Sequence, residues 1–251
     1  MLKKRLIPVL ILRDGQVVQS VGFKHTNIIH WNPVTAVDFF NRWAVDEIVL
    51  LDVSRTTAQR QKFNDALSAL SRKCFVPLTA GGWVTTVDDV RALLRLGADK
   101  VAINTQAVRE PSFITECARV FGSQCIVAAI DARQDGEGYT VWIDRGREAA
   151  GVSATAWAQE AERRGAGEIL LTSIDRDGSR HGYELELIRQ VTEAVTIPVI
   201  AFGGAFAWDH FADGIRVARA DAVAAANVFH FTEHSTKKAK EYLRGAGIDV
   251  R

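Results

Sequence analysis

The sequence predicts an α/β fold, a (β/α)8 barrel of the TIM type, from three observations. Apolar segments of strand length alternate with amphipathic segments of helix length eight times along the 251 residues, and a closed parallel barrel needs that number. Several apolar segments end in polar residues, as strands do where α/β proteins place their sites. The two halves also repeat, because Glu47 corresponds to Glu168 and Gly81 to Gly203 at nearly the same spacing. We therefore expect one domain over residues 1–251, built of two (β/α)4 half-barrels at about 1–122 and 123–251, with an open doubly wound sheet as the alternative.

The first half contains four predicted strand and helix pairs. Its strands are predicted at 5–12, from Ile48, at 75–80 and at 100–104, and its helices at 33–44, 58–72, 87–96 and after Pro111. Thr86 is expected to cap the third helix and Gly97 to end it, while Phe39 is expected on the buried face of the first. Residues 16–22 read as a polar loop or ribbon.

The second half repeats this order. Its strands are predicted at 125–131, from Ile169, at 198–202 and at 222–226, and its helices at 154–164, 184–194, 208–216 and 235–244. Gly245 is expected to end the last helix. Alternating residues 139–143 predict a hairpin arm within the polar excursion at 133–150.

Composition narrows the possible functions. The 31 Lys and Arg residues nearly cancel the 30 Asp and Glu residues, so no overall field favours nucleic acid or an anionic membrane. The three cysteines lack the spacing of metal ligands and predict free thiols in a reducing compartment. The sequence has no apolar window of about 18 residues and therefore predicts no membrane span. We expect a cytoplasmic protein that needs neither a metal nor a cofactor.

Candidate site residues follow the predicted strands. Asp131 is the chosen catalytic residue because it ends an otherwise apolar strand, IVAAID, and so brings a carboxylate for general acid or base chemistry into a dry environment. The pairs Gly81-Gly82 and Gly203-Gly204 precede helices, where backbone amides bind anions; tight turns without a ligand are the alternative. Asn104, Thr105, Thr172, Asp177 and Gly178 are candidate substrate or phosphate ligands, with turn capping as the alternative.

Four charged residues stand at the other ends of the strands. Arg5, Glu47, Lys100 and Glu168 begin the first, second, fourth and sixth predicted strands. Charges that point inward beneath a barrel are costly unless they pair with one another. A salt-bridge ring that seals the bottom and a gate that admits a small molecule are the two interpretations of this pattern.

Motifs along the whole chain carry a resemblance to a known family. These motifs are KRLIP, GADKVAIN, FGSQCIV, GAGEILLTSIDRDG, IPVIAFGGA, VFHF and KEYLRGAGIDVR. The chain resembles the cyclase subunit, HisF, of imidazole glycerol phosphate synthase. This resemblance implies a (β/α)8 barrel that receives ammonia from a HisH-like glutaminase docked at the bottom and uses it at the top. It also implies that Arg5, Glu47, Lys100 and Glu168 form an ammonia gate and that Asp99 contacts the glutaminase.

The chain departs from the family pattern at the predicted top face. The resemblance implies two catalytic aspartates, of which Asp131 is present and Ile11 replaces the other. Gln19 stands in place of a family lysine, and Trp83 in place of the third glycine of the first phosphate turn. Asn227 replaces a serine of the second phosphate site and is carried over as a candidate ligand there. The altered residues gather at the end where chemistry is expected, while those of the other end are kept.

Three functions remain open from the sequence. The preferred one is an ammonia-using synthase subunit with a different anionic acceptor, as in paralogues from surface-polysaccharide (lipopolysaccharide) gene clusters that work with a glutaminase and a third amidotransferase protein to turn an acetamido sugar into an acetamidino sugar. The second is the authentic cyclase of histidine biosynthesis, with Asp131 alone or a substitute such as Asp14. The third is a conduit and scaffold without chemistry of its own.

Overall fold

The computed structural model describes residues 3–30, 32–231 and 235–251. Its strands are β1 (Arg5–Arg13), β2 (Gln16–Val21), β3 (His25–His30), β4 (Ile48–Asp52), β5 (Leu78–Gly81), β6 (Lys100–Ile103), β7 (Ile126–Asp135), β8 (Gly138–Ile143), β9 (Glu148–Ser153), β10 (Glu168–Ser173), β11 (Val199–Phe202) and β12 (Ala222–Ala225). Its helices are α1 (Pro33–Arg42), α2 (Thr57–Ser71), α3 (Val87–Arg95), α4 (Thr105–Arg109), α5 (Ser112–Phe121), α6 (Ala154–Arg164), α7 (Leu185–Ala194), α8 (Trp208–Arg216), α9 (Val228–Phe231) and α10 (Ser235–Gly245).

Eight parallel strands close into the predicted barrel. They pair in the order β1, β4, β5, β6, β7, β10, β11 and β12, and β12 pairs in turn with β1. A closed circle of parallel strands with helices between them is the (β/α)8 arrangement. The alternative of an open sheet is thereby wrong.

The barrel has two apolar layers, and β1 contributes to both. Its alternate residues Ile7, Val9 and Ile11 belong to the cluster inside the barrel, whereas Leu6, Leu10 and Leu12 pack in the layer shared with the helices. This alternation follows from the pleat, which sends successive side chains to opposite faces of a strand. Ile11 therefore reaches the interior at the end of β1 that faces the predicted site.

Antiparallel ribbons extend from two barrel strands. β2 pairs with β1 and β3, and β8 pairs with β7 and β9. The ribbon predicted at 16–22 and the hairpin arm predicted at 139–143 are thus confirmed. Pairing with β8 also carries β7 on to Asp135, beyond the predicted end at residue 131. Both ribbons leave the carboxyl ends of their barrel strands and so border the same mouth.

Caps and turns explain the predicted helix ends and one error. Thr86 accepts a hydrogen bond from the backbone N–H of Asp89 at 3.2 Å, and Gly97 adopts a φ of 103° after α3, both as predicted. Gly245 does not end α10, because the helix includes it and the left-handed residue is Gly247, with a φ of 76°. The carbonyl of Leu243 accepts the N–H of Ile248 at 2.9 Å, which closes this C-terminal cap.

Two predicted burial positions are also wrong. The strand expected at 75–80 begins only at Leu78. Phe75 precedes this strand and is 84% exposed. Phe39 lies on the outer face of α1, where it is 41% exposed and stacks on Trp43 with ring centroids 5.5 Å apart. Within the described ranges, no helix is long and apolar enough to cross a bilayer.

Candidate functional site

A cavity of about 340 Å³ opens at the carboxyl ends of the barrel strands. Its lining includes the predicted residues Gly81, Gly82, Asn104, Thr105, Asp131 and Thr172. These residues come from β5, β6, β7 and β10 and the segments that follow them, so the barrel brings together side chains that are far apart in sequence. Ile11 also lines the cavity and is 5% exposed. A volume of this size is in the range that small-molecule sites occupy.

Asp131 lies in this cavity with few polar contacts. The side-chain amide of Asn104 donates to Asp131 Oδ2 at 2.8 Å, and Thr172 is its neighbour in the pairing of β10 with β7. Burial raises the pKa of Asp131 to about 7, against a smaller lowering by the Thr172 hydroxyl, and the charge of Asp177 raises it further. A carboxyl group with a pKa near neutrality is suited to both giving and taking a proton.

Trp83 adopts a left-handed backbone conformation despite its large side chain. Its φ is 62°, so the turn after β5 has the left-handed conformation that a glycine favours. The indole Nε1 donates a hydrogen bond to Asp52 Oδ2, and the Ser54 hydroxyl donates to Asp52 Oδ1 at 2.7 Å. Burial raises the pKa of Asp52, while these donors oppose that rise. Trp83 and Asp52 thus form part of the cavity wall.

The second glycine turn borders a much smaller space. Gly203, Gly204, Asp177, Gly178 and Asn227 line a cavity of about 20 Å³, which is roughly the room of one water molecule. A Cβ atom at Gly204 would lie 2.1 Å from the carbonyl oxygen of Gly182, and the N–H of Gly182 donates to the Gly204 carbonyl at 3.0 Å. The space that the missing side chain leaves at Gly204 is therefore filled by the backbone of Gly182.

Asp177 and Gly178 hold the ribbon of β2 and β3. The Ser20 hydroxyl and the backbone N–H of Phe23 donate to Asp177 Oδ2 at 2.6 and 3.1 Å. A Cβ at Gly178 would lie 2.8 Å from the carbonyl oxygen of Ser20. The contacts of both residues in this structure thus match turn capping, the alternative to ligand binding. Burial raises the pKa of Asp177 above its ordinary range.

Thr105 and Asn227 differ in how fully their side chains are satisfied. The Thr105 hydroxyl accepts the backbone N–H of Asp144 at 2.9 Å and so anchors the turn between β8 and β9. The side-chain oxygens of Asn227 and Asn104 are buried without a hydrogen-bond partner among the residues described. Gln19, the residue in place of the family lysine, lies in the ribbon strand β2 and pairs with Asn27 of β3.

At the opposite end of the barrel, Arg5, Glu47, Lys100 and Glu168 form a closed ring of alternating charge, which we call the charge ring. Arg5 donates to Glu47 at 2.9 Å and also to Glu168. Lys100 Nζ contacts Glu47 at 2.9 Å and Glu168 at 2.8 Å, and the Thr79 hydroxyl donates to Glu47 at 2.9 Å. Burial disfavours the charged form of Arg5, but the two carboxylates outweigh it and raise the pKa of its guanidinium. Each ring member therefore has two partners of opposite charge.

Comparisons with known proteins agree with the motifs. The family model described as "Histidine biosynthesis protein" matches residues 5–235. The HisF subunits of imidazole glycerol phosphate synthase from Bacillus licheniformis and Clostridium botulinum are each 45% identical to this chain over the full length of both proteins. The chain belongs to the HisF family. Its resemblance to that family, inferred from the motifs, is therefore confirmed.

Within this HisF-like barrel, Asp99 has a structural contact that its predicted partner role does not use. Its carboxylate accepts the backbone N–H of Leu78 at 2.8 Å and so helps to hold the start of β5. Asp221, its counterpart in the second half, accepts the N–H of Val199 at 3.1 Å in the same way. The paired contacts show that each aspartate braces the start of the preceding barrel strand, β5 for Asp99 and β11 for Asp221.

Sequence reasoning missed the cationic residues of the mouth. Arg13, Lys24, Arg55 and Arg145 all line the larger cavity. Arg55 directly follows the segment IVLLDVS, so its position after a strand was a usable signal. Lys24 and Arg145 belong to the turns of the two ribbons, and only the folded path of those ribbons brings them to the mouth. No group of three His, Cys, Asp or Glu that suits a metal occurs among the residues described.

Proposed function

We propose that this HisF-like chain is the ammonia-using synthase subunit of a glutamine amidotransferase complex whose acceptor is an acetamido sugar nucleotide. The observation that carries the proposal is Ile11. It occupies the position at which the family resemblance implies a second catalytic aspartate, and it belongs to the apolar cluster inside the barrel. An isoleucine transfers no proton, so the mouth lacks one of the two cooperating groups that the ordinary cyclase reaction is expected to use.

The lower end of the barrel supports the ammonia part of the proposal. The charge ring holds the residue types and the closed arrangement that the resemblance implies for an ammonia gate. We propose that a HisH-like glutaminase docks at this end, with Asp99 among its contacts, and that ammonia passes the ring to the mouth. A third amidotransferase protein is the proposed partner at the mouth, where the acetamido group is converted to an acetamidino group.

The second candidate is the cyclase of histidine biosynthesis. The relatives that are 45% identical over their full length carry the name imidazole glycerol phosphate synthase subunit HisF, and this favours it. Asp131, with its pKa raised to about 7 by burial, would then act without a partner at Ile11. This candidate predicts turnover of the histidine-pathway ribonucleotide, whereas the first predicts little.

A cyclase assay with free ammonia and the bisphosphorylated ribonucleotide separates the two candidates. We expect a rate about 10² to 10⁴ lower than that of the Bacillus licheniformis HisF subunit assayed beside it, because loss of one acid or base group commonly has that effect. A rate within about tenfold of that subunit contradicts the proposal.

The Ile11→Asp variant tests the same position from the other side. Restoring a carboxylate opposite Asp131 should raise cyclase activity if Ile11 is the main defect, and Ile11→Asn is the control of similar size without an acid. An equal, unchanged rate for both variants would place the defect at Gln19, Trp83 or Asn227 instead.

A further inference from the structure

One side of the mouth carries cationic side chains that form no ion pair with the carboxylates of the described residues. Arg13, Lys24 and Arg55 line the 340 Å³ cavity and are exposed. Among the described residues, none of the three has a carboxylate oxygen within 4.0 Å. The one side-chain hydrogen bond that Arg13 makes there is to the hydroxyl of Thr26, at 2.7 Å. Their charge is therefore available to a ligand.

The three cations arise from neighbouring parts of the fold. Leu12 pairs with Asp52 in adjacent strands β1 and β4, and the N–H of Val53 donates to the Leu12 carbonyl at 2.8 Å. Arg13 is thus the last residue of β1, and Arg55 follows the end of its hydrogen-bonded neighbour β4. Lys24 lies in the turn between β2 and β3, on the ribbon that leaves β1. The cations consequently form a group above β1 and β4.

Arg145 adds a fourth positive charge with an unused donor. It reaches this side from the turn between β8 and β9, and its Nη1 donates to the carbonyl of Ser54, the residue before Arg55. Its Nη2 donates to Asp144 at 3.1 Å. Its Nε is buried and has no hydrogen-bond partner in the part of the chain that the structure describes. Buried donors are normally satisfied, so this nitrogen is available to an acceptor that a ligand supplies.

The acidic residues of the cavity leave this side positive. Asp144 is shared between Arg145 and Arg147, the latter at 2.6 Å. Asp52 is held by Ser54 and Trp83, and Asp131 lies near the other wall with Asn104. No carboxylate in the lining therefore competes with a ligand for Arg13, Lys24 or Arg55.

We propose that Arg13, Lys24, Arg55 and Arg145, named here the cation cluster, bind one phosphate or diphosphate group of the acceptor. Guanidinium groups bind phosphate oxygens through paired, charge-assisted hydrogen bonds. The aromatic side chains of Phe23, Trp83 and Phe202 line the same cavity and offer surfaces to the body of the molecule. The inference rests on the proposed function and narrows the acceptor to a phosphate ester with its charges in one group, as in a nucleoside diphosphate sugar.

A ligand with separate phosphates at its two ends fits this mouth less well. Its second phosphate would have to enter the 20 Å³ space at Gly203 and Gly204, where the chain itself makes the close contacts. The cation cluster instead borders the larger cavity and concentrates its charge on one side. The two cavities therefore favour a ligand with a single anionic group.

Calorimetric titration of the full chain with inorganic pyrophosphate tests the cation cluster. We expect saturable binding at one site. The affinity should fall by about tenfold in each of the single variants Arg55→Gln and Lys24→Gln, since each removes a charge-assisted contact. Arg55→Lys should retain part of the affinity because the charge is kept. Arg109→Gln is the matched control, because Arg109 is an exposed cation that pairs with Glu148 and does not line the cavity.

Three results would overturn the inference: no saturable binding, an equal loss in Arg109→Gln, or a loss in Asn227→Asp without one in Arg55→Gln. Melting curves for all variants verify that each is folded, and the substituted cations are exposed side chains. Failure here is distinct from failure of the proposed function. Full cyclase turnover beside pyrophosphate binding at the cation cluster would contradict the proposed function alone, whereas low turnover without such binding would contradict this inference alone.

Discussion

At the amino-terminal end of the barrel every member of the charge ring has two partners of opposite sign, whereas at the carboxyl-terminal end Arg13, Lys24 and Arg55 have none among the described residues. The carboxylates of the ring are nearly withdrawn from solvent, with the Glu47 side chain 2% and the Glu168 side chain 7% exposed. Arg13, Lys24 and Arg55 are exposed. Charges that satisfy one another need no ligand, and charges without partners attract one.

This difference indicates that the charge ring serves the stability of the barrel, whereas the cations of the mouth serve ligand binding. Removing a ring member should affect folding, because it leaves a buried charge with too few partners. Removing a mouth cation should affect binding and leave folding almost unchanged, because exposed charges contribute little to stability. Variants at the two ends therefore test the comparison directly.

The largest expected effect is on the stability of Glu47→Ala. Arg5 and Lys100 would then share Glu168 alone, and we expect the free energy of unfolding to fall by about 3 to 5 kcal/mol. Chemical denaturation measures this change. Asp88→Asn, at an 86% exposed carboxylate, is the control and should differ from the unaltered chain by less than about 0.5 kcal/mol. Equal small changes in both would mean that the ring is not held as a buried unit.

Asp131 should make stability depend on pH. Its folded pKa of about 7 lies above the ordinary 3.8, so the folded chain holds this proton more tightly than the unfolded chain. The resulting stabilisation is complete below about pH 4 and is lost as the pH rises through about 7, a change on the order of 4 kcal/mol. Asp131→Asn should remove this part of the pH dependence in denaturation series from pH 4 to pH 8, whereas Glu137→Gln, on an exposed turn, should not. Parallel curves for Asp131→Asn and the unaltered chain would contradict the raised pKa.

Lys100→Ala tests whether the charge ring also acts in ammonia transfer. If the charge ring is a gate, product formation with glutamine should fall more than formation with free ammonia, which enters from the mouth. We expect the ratio of the two rates to change by about tenfold, equivalent to about 1.4 kcal/mol. The assay uses the complex with its glutaminase. Equal proportional losses would identify the ring as a structural plug.

The smallest expected effect concerns Asp99. Its carboxylate holds the N–H of Leu78, so Asp99→Ala should lower the free energy of unfolding by about 1 kcal/mol. Asp221→Ala is the matched control, since Asp221 makes the same kind of contact with Val199. Only Asp99→Ala should weaken stimulation of the glutaminase. A similar weakening in both variants would attribute the effect to barrel stability.

Periodicity predicted the barrel because it depends on local patterns repeated along the chain. The ends of elements were less predictable where tertiary contacts decide them: β7 continues to Asp135 because β8 pairs with it, and α10 includes Gly245 because Gly247 forms the cap. The hydrophobicity of Phe75 predicts a strand position, but the residue is exposed. Patterns of single residues do not register such exposure.

The candidate site was predictable where residues directly follow strands, as for Asp131, Asn104 and Thr172. Site residues whose position depends on the path of a ribbon could not be predicted. Arg145 reaches Ser54 across the mouth, and Asp177 turns toward Ser20 of the ribbon. The left-handed conformation of Trp83 also contradicts its ordinary preference, because its indole is held by Asp52. These contacts follow from the closed barrel and not from spacing along the sequence.

Rescue of a histidine auxotroph that lacks its cyclase tests most directly the claim that Ile11 diverts this barrel from the histidine pathway. The chain is expressed with its glutaminase, beside the Bacillus licheniformis HisF subunit with its own glutaminase as the positive control, and growth without histidine is measured. We predict no growth for the chain at an expression level at which the control grows. Growth at a rate comparable to the control would contradict the account and identify the chain as an authentic cyclase.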